Sequence, residues 1–338
     1  MTTVPAQADF RSSDRLASLV PDCWKTLDNP RRDLPKLARD PKATAEIEAR
    51  LAEVPTRHDL FCGDSRDEPP LSPESIHLVV TSPPYWTLKE YPDSEGQLGW
   101  VADYEEFLDQ LDKVWRRCYE ALVPGGRLVC VVGDVCLSRR RHGRHSVVPL
   151  HASIQERCRR IGFDNLAPII WHKIANAAFE VGGSGAFLGK PYEPNAVIKN
   201  DIEFILMQRK PGGYRRPTPA AKVLSLIPAE LHHRWFRQVW EGVGGASTRH
   251  HPAPYPLEIA ERLIRMFSFA GDTVFDPFMG TATTQAAAAK WGRNSVGVEV
   301  EPAYFEASAR RLSEQAAHMF SQTEVLTHVT EDGYGEAR

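Results

Sequence analysis

The amino-acid sequence predicts an α/β fold with a largely parallel sheet and helices on both faces. From residue 57 onward, short apolar runs such as IHLVV (76–80) and SVGVEV (295–300) alternate with longer amphipathic segments such as YEEFLDQLDKVWRRCYEAL (104–122). Alternation of strand and helix periodicities is typical of βαβ units. Between them, VPGG (123–126) fits the tight turn that joins a helix end to the next strand.

Composition limits the class of protein more than its activity. The chain has 338 residues, of which 42% are hydrophobic and 25% charged, and its net charge is -3. Any nucleic-acid partner must therefore be met by local basic patches. The six cysteines contain no CxxC pair, which argues against a zinc site or a disulfide framework. The sequence has no apolar leader and no run of about 18 apolar residues, so we expect a cytoplasmic protein without a membrane partner.

The C-terminal third carries the pattern of a nucleoside site. In DTVFDPFMGTATT (272–284), an apolar strand ends at Asp276, and Gly280 lies in the turn before an alanine-rich helix. The next strand ends at Glu299, an acidic position suited to ribose hydroxyls. Because only one glycine of a GxGxxG motif is present, a ligand without phosphates is favoured over a dinucleotide.

Four segments together resemble the bacterial DNA amino-methyltransferases, in the permuted order of the β group. DPFMGTATT (276–284) is similar to the family's cofactor segment, and HPAPYP (251–256) to its adjoining motif. TSPPYW (81–86) is similar to the catalytic loop, and FCGDSRD (61–67) to the Gly-Asp turn before it. The resemblance implies a Rossmann-like S-adenosylmethionine-dependent methyltransferase fold with a seven-stranded mixed sheet.

The resemblance also implies a division of the chain. Its parts are an N-terminal extension (1–56), the catalytic half of the methyltransferase domain (57–210), a target-recognition segment (211–248), the cofactor-binding half (249–318) and a C-terminal tail (319–338). The extension reads as an appendage that lies on the core without building it.

S-adenosyl-L-methionine is the cofactor that the family resemblance implies. The residues carried over as cofactor-binding are Asp64, His251, Pro252, Asp276, Pro277, Phe278, Gly280, Thr281, Thr283 and Glu299. Ala282 stands where the family has its second glycine, and its methyl group is expected to narrow the space beside the cofactor.

TSPPYW is the predicted catalytic loop. The lone pair of an exocyclic amine is delocalised into its base, so the amine needs oxygen acceptors before it can attack a methyl group. By resemblance, Ser82 and the Pro83 carbonyl supply these acceptors, and Pro84 keeps the turn rigid. Tyr85 would stack on a flipped base. Trp86 would be either a second stacking surface or a plug under the loop, and the plug is favoured.

Three functional hypotheses remain open from the sequence. In this family a serine at the position of Ser82 usually accompanies N4-cytosine methylation, and Asp or Asn usually accompanies N6-adenine methylation. A catalytically silent DNA-binding module is the third hypothesis. Cytosine C5 methylation is disfavoured because no cysteine follows a proline. SGAFLGKP (184–191) departs twice from the P-loop spacing, and the histidines lack a HExxH metal motif.

Double-stranded DNA is the predicted partner, met by irregular basic segments. The predicted DNA-contacting residues are Arg139, Arg140, Arg141, Arg144, Arg215, Arg216, Arg234 and Arg237. The first four should lie on the same side of the sheet as the catalytic loop. The glycine-rich loop 176–195 would share the recognition surface. A cognate restriction endonuclease is a further possible partner, and either a monomer or a homodimer is compatible with the sequence.

Overall fold

The computed structural model describes residues 13–24, 29–88, 96–173, 200–245, 255–319 and 322–329. The strands are β1 (Thr56–Cys62), β2 (Ile76–Thr81), β3 (Leu122–Val132), β4 (Val135–Leu137), β5 (Ser146–Val148), β6 (Asp164–His172), β7 (Ile202–Arg209), β8 (Val239–Trp240), β9 (Thr273–Asp276), β10 (Asn294–Glu299) and β11 (Thr323–Val329). The helices are α1 (Ser13–Leu19), α2 (Pro30–Leu37), α3 (Pro41–Leu51), α4 (Tyr104–Ala121), α5 (Arg139–His142), α6 (Leu150–Ile161), α7 (Pro219–Leu224), α8 (Ala229–Trp235), α9 (Leu257–Phe267), α10 (Thr283–Lys290) and α11 (Pro302–Met319).

One mixed sheet organises these elements, in the strand order β11-β1-β10-β9-β2-β3-β7-β6-β8. The first six strands of that order are parallel to one another, β7 runs antiparallel to both β3 and β6, and β8 is parallel to β6. The α/β class and the mixed sheet are confirmed, but the expected count of seven strands is wrong. The described part of the sheet has nine strands because β11 from the predicted tail and β8 from the predicted recognition segment extend its two edges.

Both faces of the sheet are covered, as parallel sheets require. Successive residues of β3 alternate between two cores: Leu128, Cys130 and Val132 pack with α4 and α6, whereas Val129 and Val131 pack with α9 and α10. This period of two explains why the strand is apolar throughout and not alternately polar.

The parallel strands bring the predicted motifs to one edge of the sheet, here called the carboxyl edge. β1, β2, β9 and β10 are mutually parallel along the sheet and end at Cys62, Thr81, Asp276 and Glu299. Each of these ends is followed by one of the sequence motifs. The opposite edge, where the same strands begin, is the amino edge.

The N-terminal extension shares a hydrophobic cluster with the segment 211–248. Ile47 and Leu51 of α3 are buried with Val223 and Leu224 of α7 and with Trp291. An ion pair of 2.6 Å between Glu48 and Arg265 joins α3 to α9. The extension therefore helps to build a hydrophobic core, whereas the sequence predicts that it only lies on one.

Candidate active site

A cleft opens at the carboxyl edge, where the turns after β1, β2, β9 and β10 converge. The predicted site residues that line it are Asp64, Ser82, Pro84, Pro277, Phe278, Gly280 and Glu299. The predicted catalytic loop and the predicted cofactor segment, almost 200 residues apart in the chain, thus meet in one cleft. Gly96, Gln97 and Tyr304 also line it and were missed from the sequence.

Glu299 places a buried carboxylate in the wall of the cleft. Its side chain is 8% exposed, and its two oxygens accept hydrogen bonds from the backbone N–H groups of Gly280 (2.8 Å) and Glu301 (3.0 Å). Burial raises the pKa of this carboxyl to about 7. An acceptor desolvated in this way is suited to a ligand that brings its own hydrogen-bond donors, such as the hydroxyls of a ribose.

Asp276 has a different role from the one expected. Its carboxylate is fully buried and does not line the cleft. One oxygen accepts from the Thr81 hydroxyl (2.7 Å) and the Phe278 N–H (3.1 Å), and the other from the Thr284 hydroxyl (2.5 Å). Burial raises its pKa to about 6. Asp276 therefore ties β2, β9 and α10 together beneath the cleft, and its contact with the cofactor stays a prediction.

The turn from Thr281 to Thr283 also lies behind the cleft wall. The Thr281 and Thr283 hydroxyls are 3.2 Å apart, and neither residue lines the cleft. Ala282 is 1% exposed and packs in an apolar cluster with Leu60 and Met279. Its methyl group is therefore directed into this cluster, and its effect on the cofactor space stays a prediction. Its φ of +57° lies in the left-handed region, which glycine adopts more readily than alanine.

The Gly-Asp turn after β1 is held by an arginine and covered by a glycine. Asp64 accepts from the Arg66 backbone N–H (2.8 Å) and from its guanidinium, which also donates to Gln110 Oε1 (2.7 Å). A Cβ atom on Gly96, whose φ is +84°, would lie 2.7 Å from Asp64 Oδ2. Only glycine lets the segment at 96–98 close over this part of the cleft.

In the catalytic loop, Ser82 faces the cleft while Tyr85 is turned inward. The Ser82 hydroxyl donates to the Tyr85 hydroxyl (3.4 Å), which donates to Glu203 Oε2 (3.2 Å). Lys173 Nζ lies 2.6 Å from the other oxygen of Glu203. Pro83 and the Tyr85 ring are buried and do not line the cleft, so the expected stacking of Tyr85 on a base is not prepared in this conformation.

Trp86 packs under the loop, as the sequence interpretation expects. Its indole N–H donates to the Val101 carbonyl (2.9 Å), and its ring meets the Tyr104 ring edge-on at 5.1 Å. The loop is thereby anchored to the start of α4.

The predicted DNA-contacting arginines divide between the two edges of the sheet. Arg139, Arg140 and Arg144 are exposed on the excursion between β4 and β5, which follows the carboxyl end of β3; Arg141 belongs to the same helix, α5. Arg234 and Arg237 are exposed at and just after α8; Arg234 pairs with Glu230 at 2.8 Å, and Arg237 Nε donates to the His233 carbonyl.

Arg215 and Arg216 lie at the amino edge, away from the cleft. The Arg215 guanidinium pairs with Asp272, which is buried just before β9, and lies 5.3 Å from the centre of the Phe269 ring. The preceding glycine, Gly213, packs against Gly125 near the start of β3. The charge of Arg215 is therefore used inside the fold, and its contact with DNA stays a prediction. Arg216, although exposed, follows it at the same edge.

Two predicted cofactor residues, His251 and Pro252, lie outside the described residues, as does the glycine-rich loop 176–195. Across the described ranges, no group of three or more His, Cys, Asp or Glu side chains is arranged to hold a metal ion. None of the helices there is long and apolar enough to cross a membrane.

Comparison with known proteins gives one family. A family model described as DNA methylase matches residues 76–310. Type II methyltransferase M.MjaI of Methanocaldococcus jannaschii is 37% identical over 280 residues, which cover 74% of this chain and 89% of that protein. Type II methyltransferase M.MthZI of Methanothermobacter thermautotrophicus is 33% identical over 281 residues, covering 77% of each chain.

Solved structures agree with this result. A putative DNA modification methylase from Thermus thermophilus, crystallised with S-adenosyl-L-methionine, is 51% identical and superimposes with a TM-score of 0.66, covering 81% of this chain and 100% of that chain. The cytosine-N4-specific PvuII DNA methyltransferase superimposes with a TM-score of 0.53, covering 81% of this chain and 98% of that chain; at 18% identity it supports the fold alone. The chain belongs to the DNA methylase family, in its N4/N6 amino-methyltransferase class.

Proposed function

We propose that this chain transfers a methyl group from S-adenosyl-L-methionine to the N4 amine of a cytosine in double-stranded DNA. The observation that carries the proposal is the Ser82 hydroxyl, which lines the cleft while its proton points to Tyr85. Because its proton is directed to Tyr85, the Ser82 oxygen can offer its lone pairs to an amine placed in the cleft. In the family to which the chain belongs, a serine at this position is the one that usually accompanies cytosine N4 methylation.

The residues of the cleft fit the proposed cofactor. Glu299 offers a buried acceptor for ribose hydroxyls, and Phe278 and Tyr304 supply aromatic surface for a nucleoside. The cleft lacks the glycine-rich pyrophosphate loop of a dinucleotide site. When bound, S-adenosyl-L-methionine supplies an electrophilic methyl group on its sulfonium.

The protein contributes position and hydrogen-bond acceptors. Ser82 Oγ would accept an N–H of the target amine, which draws the nitrogen away from its planar geometry and toward a nucleophilic one. The rigid Pro83-Pro84 turn would hold a backbone carbonyl for the second N–H. As the N–CH3 bond formed and the S–CH3 bond broke, the amine would take over the positive charge of the sulfonium and would then release one N–H proton to water. The chain's own residues would contribute by aligning the amine.

Labelled transfer tests the proposal directly. The protein is incubated with methyl-labelled cofactor and mixed-sequence DNA, the DNA is hydrolysed to nucleosides, and the label is located. We expect it in N4-methyldeoxycytidine. Label found in N6-methyldeoxyadenosine alone would overturn the choice of base and leave the reaction class intact. Absence of label from every nucleoside, with cofactor binding retained, would instead indicate a silent DNA-binding protein.

The position of the arginines predicts how salt affects DNA binding. The slope of log K for DNA binding against log salt concentration is negative, and each phosphate contact contributes roughly 0.9 to its size. We expect the double variant Arg140→Ala/Arg144→Ala to make this slope shallower by about 2. Arg216→Ala is a matched control, since it removes the same charge from the amino edge. β2 alone separates the two edges by about 20 Å.

Fluorescence anisotropy of labelled duplex DNA, titrated between about 50 and 200 mM salt, measures both slopes. Equal slopes for the wild type and the double variant would contradict a phosphate contact at 139–144. A flatter slope for Arg216→Ala would instead place DNA at the amino edge.

A further inference from the structure

A buried acidic residue behind the catalytic loop is not explained by the chemistry described so far. Glu203 lies in β7, is 8% exposed, and is an acidic residue in an otherwise apolar run. Its neighbours Phe204, Ile205 and Leu206 pack into the two cores of the sheet. A carboxylate is costly to bury at such a place unless its partners give it a purpose.

Two side chains, Tyr85 and Ser82, connect Glu203 to the cleft, and a third, Lys173, holds its other oxygen. Lys173 Nζ contacts Oε1 at 2.6 Å, Tyr85 donates its hydroxyl proton to Oε2 at 3.2 Å, and Ser82 donates to the Tyr85 oxygen at 3.4 Å. The last distance is long for a hydroxyl pair, as catalytic hydrogen bonds often are before a substrate binds. Gly133 lies beside this pair, since a Cβ atom there would lie 3.4 Å from both Glu203 Cγ and Tyr85 Cε2.

The chemistry of these groups fixes the direction of the chain. A carboxylate paired with an ammonium group is only an acceptor, so the Tyr85 hydroxyl must donate to it. The phenol oxygen then has lone pairs left and accepts the Ser82 proton. A hydroxyl can act as donor or acceptor, and a serine that pointed its proton into the cleft would repel the N–H groups of an amine. The hydrogen bonds from Ser82 to Tyr85 and from Tyr85 to Glu203 direct that proton away from the cleft.

We propose that Glu203, fixed by Lys173 and acting through Tyr85, is a positioning residue that makes the Ser82 hydroxyl an obligate acceptor for the target amine. The inference rests on the proposed function, because it deepens the role of Ser82 in the same site. It also assigns Tyr85 to the orientation of Ser82 through its hydroxyl, in place of base stacking.

A double-mutant cycle tests this series of hydrogen bonds from Glu203 through Tyr85 to Ser82. Tyr85→Phe and Glu203→Gln each interrupt it with little change in volume, and each is expected to lower kcat roughly 10- to 100-fold. The double variant is expected to be no slower than the slower single variant, since both changes break the same chain. S-adenosyl-L-methionine affinity, measured by calorimetry, should change less than about threefold, because neither residue lines the cleft.

Asp201→Asn is the matched control. Asp201 lies two residues before Glu203 and pairs with His172 at 3.3 Å. The variant therefore removes one negative charge from the pair of side chains next to Glu203 and Lys173, outside the series of hydrogen bonds that leads to Ser82. Its kcat should equal that of the wild type. A drop as large as that of Glu203→Gln would show a general effect of charge near the loop and would overturn the proposal.

Urea unfolding of the same variants provides a readout that does not depend on activity. The free energies of unfolding should show coupling between Tyr85 and Glu203. If the two changes are independent in kcat, or if kcat is unchanged in Glu203→Gln, the proposal fails. Should Glu203→Gln not fold, Tyr85→Phe alone must still slow transfer. If the wild type transfers no label at all, the proposed function fails. The unfolding free energies of the single and double variants then still decide whether the hydrogen bond between Tyr85 and Glu203 is present.

Discussion

Ser82→Ala is expected to lose about 100- to 1,000-fold in the rate of methyl transfer while S-adenosyl-L-methionine still binds. The hydroxyl is the only part of the side chain that can accept a hydrogen bond from an amine, and its loss leaves the Pro83-Pro84 turn in place. Single-turnover transfer of labelled methyl to DNA measures the first effect, and calorimetry with the cofactor measures the second. We expect the cofactor Kd to change by less than about threefold, since one hydroxyl among the many groups of the cleft is removed.

Thr87→Ala provides the matched control for this loop. Thr87 is exposed five residues further along, so the variant also removes one hydroxyl and should transfer at the wild-type rate. Equal loss of transfer and of cofactor binding in Ser82→Ala would show that the serine supports the cleft as a whole. Full activity in Ser82→Ala would remove it from the reaction.

The meeting of distant motifs at one edge follows from features that the sequence contains. The ends of β1, β2, β9 and β10 converge because parallel strands share an edge, and alternating strand and helix patterns are readable before any coordinates exist. Ser82, Gly280 and Glu299 were located on that basis together with the family resemblance. The two additional strands differ in this respect: TEVLTHV (323–329) alternates clearly enough to be recognised as a strand, whereas the two residues of β8 carry no periodic signal.

The roles of individual side chains depended on contacts that no local pattern contains. Asp276 and Glu299 both end strands, and only the hydroxyls of Thr81 and Thr284 reveal that the first carboxylate is used inside the fold. Arg215 looks like any basic loop residue until Asp272 is seen beside it. Glu203 did carry a signal, because an acidic residue in the apolar run IEFILM (202–207) is costly to bury unless it is paired.

We expect Glu299 to make cofactor binding dependent on pH. In the folded chain, burial raises the pKa of its carboxyl to about 7 from 4.5, so the group is ionised at pH 8 and largely protonated at pH 6. Ribose hydroxyls donate hydrogen bonds, and an ionised carboxylate is the better acceptor. We therefore expect the Kd for S-adenosyl-L-methionine to rise about tenfold for each pH unit below pH 7 and to level off above pH 8.

Glu299→Gln should bind the cofactor roughly 10- to 100-fold more weakly at pH 8, and its Kd should no longer change between pH 6 and 8. Glu314→Gln removes the same charge from an exposed position of α11 that does not line the cleft, and should keep the pH dependence of the wild type. The cofactor's own groups ionise in the same way in all three measurements. Only the difference in Kd between the proteins therefore reports on Glu299. A Kd that rises equally toward acid in Glu299→Gln would assign the titration to another group, and a Kd near the wild-type value at pH 8 would show that this carboxylate does not contact the cofactor.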